Sequence, residues 1–358
     1  MKKNILIVDD SALMRKVLSD IINCDEELCV EDFAFDGRMA LEMVQKKKYD
    51  CIILDIQMPK MNGVEFLRQV NEKGLNLTVV LVSSVAAESG EETIKCLEYG
   101  AFDFVKKPSG LNDIKGATFS KSIIDMVHCA VSSVASPEAR KKVMSADEIV
   151  KKRESIGKRP HKSLPGNNLI ALACSTGGPK ALQEVVPLLP DNIDAPMVIV
   201  QHMPEGFTKS LAERLNEISK VKVKEAEDGD LLKKGTVYIA KGGYHLKIIH
   251  KRGVGDVIKL VLDAPVGGLR PCADIMYESI ADLPYDHVVC VVMTGMGADG
   301  SKGIKYLKDK KKIYVIAQNK ETCTVYGMPK MIFETGITDE VQPLSEIASA
   351  ITSITGVR

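Results

Sequence analysis

The chain has 358 residues, enough for two or three domains that each bury a core of their own. Its 48 Lys plus Arg balance 48 Asp plus Glu, which excludes a polybasic protein drawn to nucleic acid or an anionic membrane by its overall field. At 45% apolar and 27% charged residues, with mean hydropathy near zero, it is neither disordered nor fibrous, and no apolar run is longer than Val288 to Met293, which falls far short of the roughly twenty residues that span a bilayer.

The first segment has the basic head of an export signal in Lys2 and Lys3, but Asp9 and Asp10 stop the apolar stretch Ile5 to Val8 after four residues, so it reads as a strand. Apolar, β-branched runs at Ile5 to Val8, Val30 to Phe35, Cys51 to Leu54, Thr78 to Val82 and Phe102 to Val105 alternate with helical spacing such as Leu13, Val17, Leu18 and Ile21. Five such βα units predict a flavodoxin-like parallel sheet with helices on both faces over residues 1–125. A linker is expected over residues 126–165. Within it, residues 137–163 lose apolar periodicity and carry nine basic residues against four acidic, whereas residues 1–136 carry sixteen against twenty-one. A solvated basic tether is the plain reading, and a tether that leans on the acidic first domain is the alternative.

Residues 166–358 start a second alternating series. Strands are expected at Leu169 to Cys174, Met197 to Val200, Val237 to Ala240, Leu246 to Ile249, Ile258 to Leu262, Val288 to Met293 and Ile313 to Ala317. Helices fit Lys180 to Leu189, Phe207 to Ile218, Asp274 to Ala281, Gly303 to Lys310 and Ser345 to Ile354. The fold class is therefore α/β twice over, the second domain doubly wound and mostly parallel. Three strands in a row between Val237 and Leu262 predict an antiparallel insertion. Nine cysteines is an odd number; Cys51, Cys174 and Cys290 sit inside apolar runs and no C-x-x-C pair occurs, which describes reduced, packing thiols and a cytoplasmic chain.

Asp9 and Asp10 close the first strand and Asp55 the third, so a 2-1-3-4-5 sheet brings three carboxylates to the switch point where ligands bind. A hard divalent cation with oxygen ligands, which describes Mg²⁺, relieves their repulsion. Asp10 or Ser11 as a plain N-cap is the competing reading, but it leaves Asp55 unexplained. Ser83 after the fourth apolar run and Lys107 after the fifth add a hydroxyl and an ammonium; a lysine that only neutralises acids is the simpler alternative. Hydroxyl, ammonium and cation around one carboxylate are what an aspartyl phosphate requires.

Through Val8-Asp9-Asp10-Ser11, Leu54-Asp55-Ile56-Gln57-Met58-Pro59 with Asn62-Gly63, Val82-Ser83-Ser84 and Phe104-Val105-Lys106-Lys107-Pro108, residues 1 to about 125 resemble the response-regulator receiver domain. The resemblance implies Asp55 as phospho-acceptor, and Asp9, Asp10, Asp55 and the Gln57 carbonyl as Mg²⁺ ligands. It further implies Ser83 and Lys107 as phosphoryl contacts and Phe104 as an aromatic whose rotamer follows Ser83. Ser83 stands where the family often has Thr and keeps the hydroxyl.

In the second domain Ser175 stands in Leu172-Ala173-Cys174-Ser175-Thr176-Gly177-Gly178-Pro179-Lys180, where a buried strand turns into a helix. Glycines behind a serine at such a turn expose its oxygen beside free helical N–H groups. An N-cap or a phosphate loop is the alternative, and G-x-S-x-G itself is absent because Ala173 holds the first position. His202 follows the next strand, and Asp299 follows another apolar strand and a glycine-rich turn, where it either caps the helix begun at Ser301 or orients an imidazole. Hydroxyl, imidazole and carboxylate at three strand ends make a proton-relay geometry. The order Ser, His, Asp matches neither α/β-hydrolases nor the familiar proteases, which favours a separate serine-hydrolase lineage. No H-E-x-x-H or comparable metal spacing occurs.

Cys174-Ser175-Thr176-Gly177-Gly178, Gln201-His202-Met203-Pro204-Glu205-Gly206-Phe207-Thr208, Tyr238-Ile239-Ala240 with His245, and Thr294-Gly295-Met296-Gly297-Ala298-Asp299-Gly300 resemble the catalytic domain of the chemotaxis protein-glutamate methylesterase family, from about residue 167 to 355. The resemblance implies hydrolysis of glutamate methyl esters on methyl-accepting chemoreceptors with release of methanol, deamidation of receptor glutamines, and a role in chemotactic adaptation. It implies Ser175 as nucleophile, His202 as base, Asp299 as orienting acid and the Met296 N–H as oxyanion donor, with no cofactor for the esterase. It also implies a chemotaxis histidine kinase as phospho-donor and an unphosphorylated receiver that covers the Ser175 cleft. Ala173-Cys174 departs from the common Gly-Ala and narrows the turn. Neither nucleic-acid binding nor membrane insertion is expected, and a monomer is. A DNA-binding output would want a basic recognition helix, which the charge-balanced residues 164–358 do not offer. A catalytically idle adaptor differs from the esterase in releasing no methanol.

Overall fold

The computed structural model describes residues 2–84, 87–108, 110, 116–133, 148, 149, 152 and 164–357. The chain divides into two compact units, one holding the described residues up to 133 and the other those from 148 on.

In the first unit five strands, β1 (Lys3–Val8), β2 (Leu28–Ala34), β3 (Cys51–Asp55), β4 (Val79–Ser83) and β5 (Asp103–Lys106), form a parallel sheet in the order β2-β1-β3-β4-β5. Helices α1 (Ala12–Asn23), α2 (Gly37–Lys46), α3 (Gly63–Glu72), α4 (Ala87–Glu98) and α5 (Ala117–Ser132) follow the strands in turn. The inner strands are apolar without alternation because helices cover both faces of the sheet: β3 and β4 are buried throughout, and Ile5, Leu6, Ile7 and Val8 of β1 have no exposed surface. Helix α5 runs across position 125 and buries Phe119, Ile123, Val127 and Ala130 in the same core. Ser11 caps α1, its hydroxyl accepting from the Met14 N–H, so the capping reading holds for Ser11 and not for Asp10.

The second unit holds the strands β6 (Asn168–Cys174), β7 (Met197–Gln201), β8 (Lys222–Glu225), β9 (Thr236–Ile239), β12 (His287–Val292), β13 (Lys312–Gln318) and β14 (Glu340–Gln342). They form a seven-stranded sheet, all parallel, in the order β14-β13-β12-β6-β7-β9-β8. Helices α6 (Gly178–Val185), α7 (Phe207–Ile218), α8 (Ala273–Ser279), α9 (Ser301–Lys308), α10 (Met328–Glu334) and α11 (Leu344–Thr355) cover it. β10 (His245–Lys251) and β11 (Gly255–Val261) pair antiparallel as a separate hairpin, so of the three consecutive strands only two form the insertion and β9 joins the main sheet. Tyr277 is fully buried, and its hydroxyl donates to the Ala171 and Val291 carbonyls, linking β6 and β12 from below.

The sheet edges β8 and β14 are not legible in the sequence. Lys-Val-Lys-Glu and Glu-Val-Gln are short and charged, as edge strands tend to be, and carry no hydrophobic signal. Helix α10 is missed because its seven residues follow Gly327 and carry Pro329 in the first turn, a pair that reads as a break although proline at a first turn suits a helix. Most of the linker expected at 126–165, with its basic stretch 137–163, lies outside the described residues. All nine cysteines are free thiols.

Candidate active site

The crevice of the first sheet forms where β1 and β3 end side by side, Val8 opposite Leu54. Asp9 is 1% exposed and Asp55 7%, while Asp10 is exposed. Oxygens of all three lie within 4.8 Å of one another. Lys107 reaches in from the end of β5, its Nζ 2.7 Å from Asp55 Oδ2 and 3.0 Å from Asp9 Oδ2. Burial pushes the Asp55 carboxyl up to about 6, with Lys107 opposing the rise and the Asp9 charge adding to it. Gln57 donates its N–H to Asp55 Oδ1 at 3.4 Å. Ser83 is buried at the end of β4, and its hydroxyl pairs with Thr93 Oγ1 at 2.9 Å and donates to the Ser84 carbonyl at 3.3 Å. Phe104 is buried on β5. The all-oxygen donor set, with two of its three carboxylates buried and one lysine beside them, fits a hard divalent cation.

The second site lies at the carboxyl ends of β6, β7 and β12. Register sets Cys174 opposite Gln201, so Ser175 and His202, each one residue on, leave the sheet side by side, and the His202 N–H still donates to the Cys174 carbonyl at 3.2 Å. From β12 the Thr294 carbonyl accepts the Ser175 N–H at 3.0 Å. Gly295 must be glycine for this approach, since a Cβ there would meet Ser175 Cβ at 2.8 Å and Met328 Sδ at 2.4 Å. Ser175 does not cap α6, because Gly177 holds the N-cap.

His202 Nε2 lies 2.7 Å from Asp299 Oδ2, and both side chains are more than nine-tenths buried. Asp299 is held from elsewhere. Its Oδ2 accepts the Ala273 N–H at 2.6 Å, and its Oδ1 accepts the Asp274 N–H, the Gly300 N–H and the Cys272 thiol at 3.0, 3.0 and 3.1 Å. Of the two sequence alternatives, orienting the imidazole is the one the geometry matches. The helix Asp299 caps is α8 rather than the expected α9, whose Gly303 N–H is taken instead by Asp274 at 2.7 Å. Burial pushes the Asp299 carboxyl up, but the imidazole and the helical amides outweigh it and hold the group well below the ordinary carboxylate range.

With Nε2 on Asp299, Nδ1 is the ring nitrogen left to serve Ser175. The Met296 N–H makes no hydrogen bond among the described residues, nor does that of Thr176, next to the serine, a second donor that the sequence motifs do not point to. Cys272, Asp274 and Asp299 cluster tightly enough for a metal, but the carboxylates are already committed to backbone amides. Thr294 is fixed in turn by Gln318, whose Oε1 accepts its N–H at 2.8 Å.

A family model described as CheB methylesterase matches residues 170–351, and one described as response regulator receiver domain matches residues 5–119. The chain is 41% identical over 356 residues to a protein-glutamate methylesterase/protein-glutamine glutaminase of Syntrophomonas wolfei, covering 99% of both chains. It is 39% identical over 358 residues to the protein of that name from Bacillus subtilis, covering 98% of this chain and 97% of that one. The solved catalytic domain of the Thermotoga maritima CheB methylesterase superposes with a TM-score of 0.50 at 42% identity, covering 52% of this chain and 98% of that domain.

Proposed function

Because the chain belongs to the CheB methylesterase family, with a receiver domain ahead of the catalytic one, we propose that it hydrolyses glutamate methyl esters and deamidates glutamines on chemoreceptors by a Ser-His-Asp mechanism. The observation that carries this reading is the 2.7 Å His202–Asp299 pair at the strand ends beside Ser175, its carboxylate anchored by the first amides of α8.

In the reaction Ser175 Oγ attacks the γ-carbonyl and passes its proton to His202 Nδ1. The developing oxyanion is met by the free N–H groups of Thr176 and Met296, donors of a kind whose single removal costs about 10²–10³ in rate. The tetrahedral adduct expels methanol, or ammonia from a glutamine, which takes the proton back from His202. Water then attacks the acyl-serine, again giving its proton to His202, and glutamate leaves with Ser175 restored. Asp299 stays ionised and holds the ring in one tautomer.

The receiver is the control element of the proposal. Asp9, Asp10, Asp55 and the Gln57 carbonyl would hold Mg²⁺, which offsets phosphoryl charge when bound. Asp55 carries the phosphate, Lys107 and Ser83 contact it, and Phe104 follows Ser83. For Ser83 this requires its hydroxyl to leave Thr93. A histidine kinase is the phospho-donor, and the unphosphorylated receiver restrains the esterase. A full 1:99 to 99:1 swing would need about 5.5 kcal/mol of differential stabilisation, and smaller coupling gives partial activation. The test is methanol release from methylated receptor membranes with and without acetyl phosphate: release stimulated by the phospho-donor supports the reading, and no release in either condition leaves an idle adaptor.

A further inference from the structure

Strand ladders fix the spacing of neighbouring chains only as far as the sheet extends. Ser175 and His202 lie just beyond it, where β6 and β7 turn away into a helix and a loop. Beyond the His202 N–H on the Cys174 carbonyl and the Ser175 N–H on the Thr294 carbonyl, the two residues are tied directly to each other by the side chain of Gln201, 1% exposed at the last position of β7. Its Nε2 donates to the Ser175 carbonyl at 3.0 Å and to the His202 carbonyl at 3.2 Å, so the two hydrogens of one amide bridge the two residues. Its Oε1 accepts the Cys174 thiol at 3.0 Å. Burial pushes that thiol far up, so it stays protonated and donates, which fixes the oxygen end of the amide toward Cys174 and the nitrogen end toward the carbonyls.

The amide has no room to move. A Cβ on Gly178 would stand 1.9 Å from Gln201 Oε1 and 3.1 Å from Cys174 Sγ. Glycine at the first position of α6 therefore does more than open the turn: it leaves the volume the amide occupies. The Ser175 carbonyl also accepts the Gly178 N–H at 2.7 Å, so the same oxygen ties the amide to the start of the helix.

We infer that Gln201 is a positioning residue for the hydrolysis, setting the distance between the Ser175 hydroxyl and the His202 ring through their backbone carbonyls without touching substrate. The inference rests on the serine-nucleophile reading above. A buried amide with both hydrogens committed to the two reacting residues acts on the chemical step, because displacement of about 1 Å between reacting groups can cost on the order of 10²-fold in rate.

The experiment uses the full-length protein treated with acetyl phosphate and compares Gln201→Met, which keeps the length and loses both donors, with Gly178→Ala, which leaves Gln201 intact and pushes on its oxygen. Readouts are kcat and KM for methanol release from methylated receptor membranes, the rate of Ser175 labelling by a fluorophosphonate, and the melting temperature. For both variants kcat is expected to fall about 10–100-fold with KM within about twofold, and labelling to slow by the same factor in protein that still melts cooperatively. Parental kcat and labelling in a folded Gln201→Met protein, or a loss confined to KM, overturns the inference while leaving the serine site standing. Should Gln201→Met not fold, Gly178→Ala decides by the same criteria. A Ser175→Ala protein that still releases methanol overturns the serine reading itself, and this inference with it.

Discussion

The two sheets end in the same way and put acids at the same edge, yet Asp55 and Asp299 are opposite kinds of carboxylate. Asp55 is buried with Asp9 beside it and one lysine between them, and its carboxyl is pushed up to about 6. Asp299 is buried as deeply, but three backbone amides, a thiol and an imidazole point at it, and it is held below its ordinary range. Burial acts on both in the same direction. The donors decide the sign: a crowded acid short of donors is poised to take a cation and a phosphoryl group, whereas a saturated one stays an anion and orients its neighbour.

The largest effect expected from breaking this contrast is at the serine. Ser175→Ala should reduce methanol release by roughly 10⁶-fold in kcat while leaving phosphorylation of Asp55 by acetyl phosphate intact, because the two sites share no side chain. Replacing Asp299 with Asn comes next, at about 10⁴-fold. The carboxamide NH₂ must face at least one of the N–H donors that now point at an oxygen, so the melting temperature should fall as well. Activity near the parental level in a folded Asp299→Asn protein would show that His202 needs no anion.

On the other side of the comparison, Asp55→Asn removes the proposed phospho-acceptor. The ratio of esterase rates with and without acetyl phosphate should fall to one, from a parental stimulation in the range of about 5–150-fold that typical coupling energies give. A stimulation that survives the substitution would move the phosphorylation site or separate control from the receiver.

The features that made both sites legible in the sequence are those where an apolar strand is cut short by chemistry. Asp9-Asp10 after Val8, Ser175 before Gly177-Gly178 and Asp299 after a glycine-rich turn all stand where a continuous buried run stops, and parallel topology then gathers them at one edge. What was not legible depends on contacts between distant segments. Nothing near Asp299 in the chain indicates that its partners are the amides of residues 273 and 274, because the helix start that supplies them is set by packing of Tyr277 under β6 and β12. The Ser83–Thr93 pairing, the Gln201 bridge and the edge strands β8 and β14 belong to the same class.

The smallest effect is one of stability, and its sign separates the two acids again. Asp299 has a folded-state pKa below its unfolded value, so its ionised form stabilises the fold. That contribution is complete above the unfolded carboxylate pKa of about 3.9 and is lost as pH falls through the lower folded value. In Asp299→Asn the group no longer titrates. Urea unfolding of the catalytic unit, followed in parental and Asn proteins from pH 6 down to about 3, should therefore give a destabilisation by the substitution that is largest at pH 6 and narrows only in the most acid samples. A difference that instead widens as the solution is acidified would mean that Asp299 is not the saturated anion its donors describe, and the contrast with Asp55 would fail at that point.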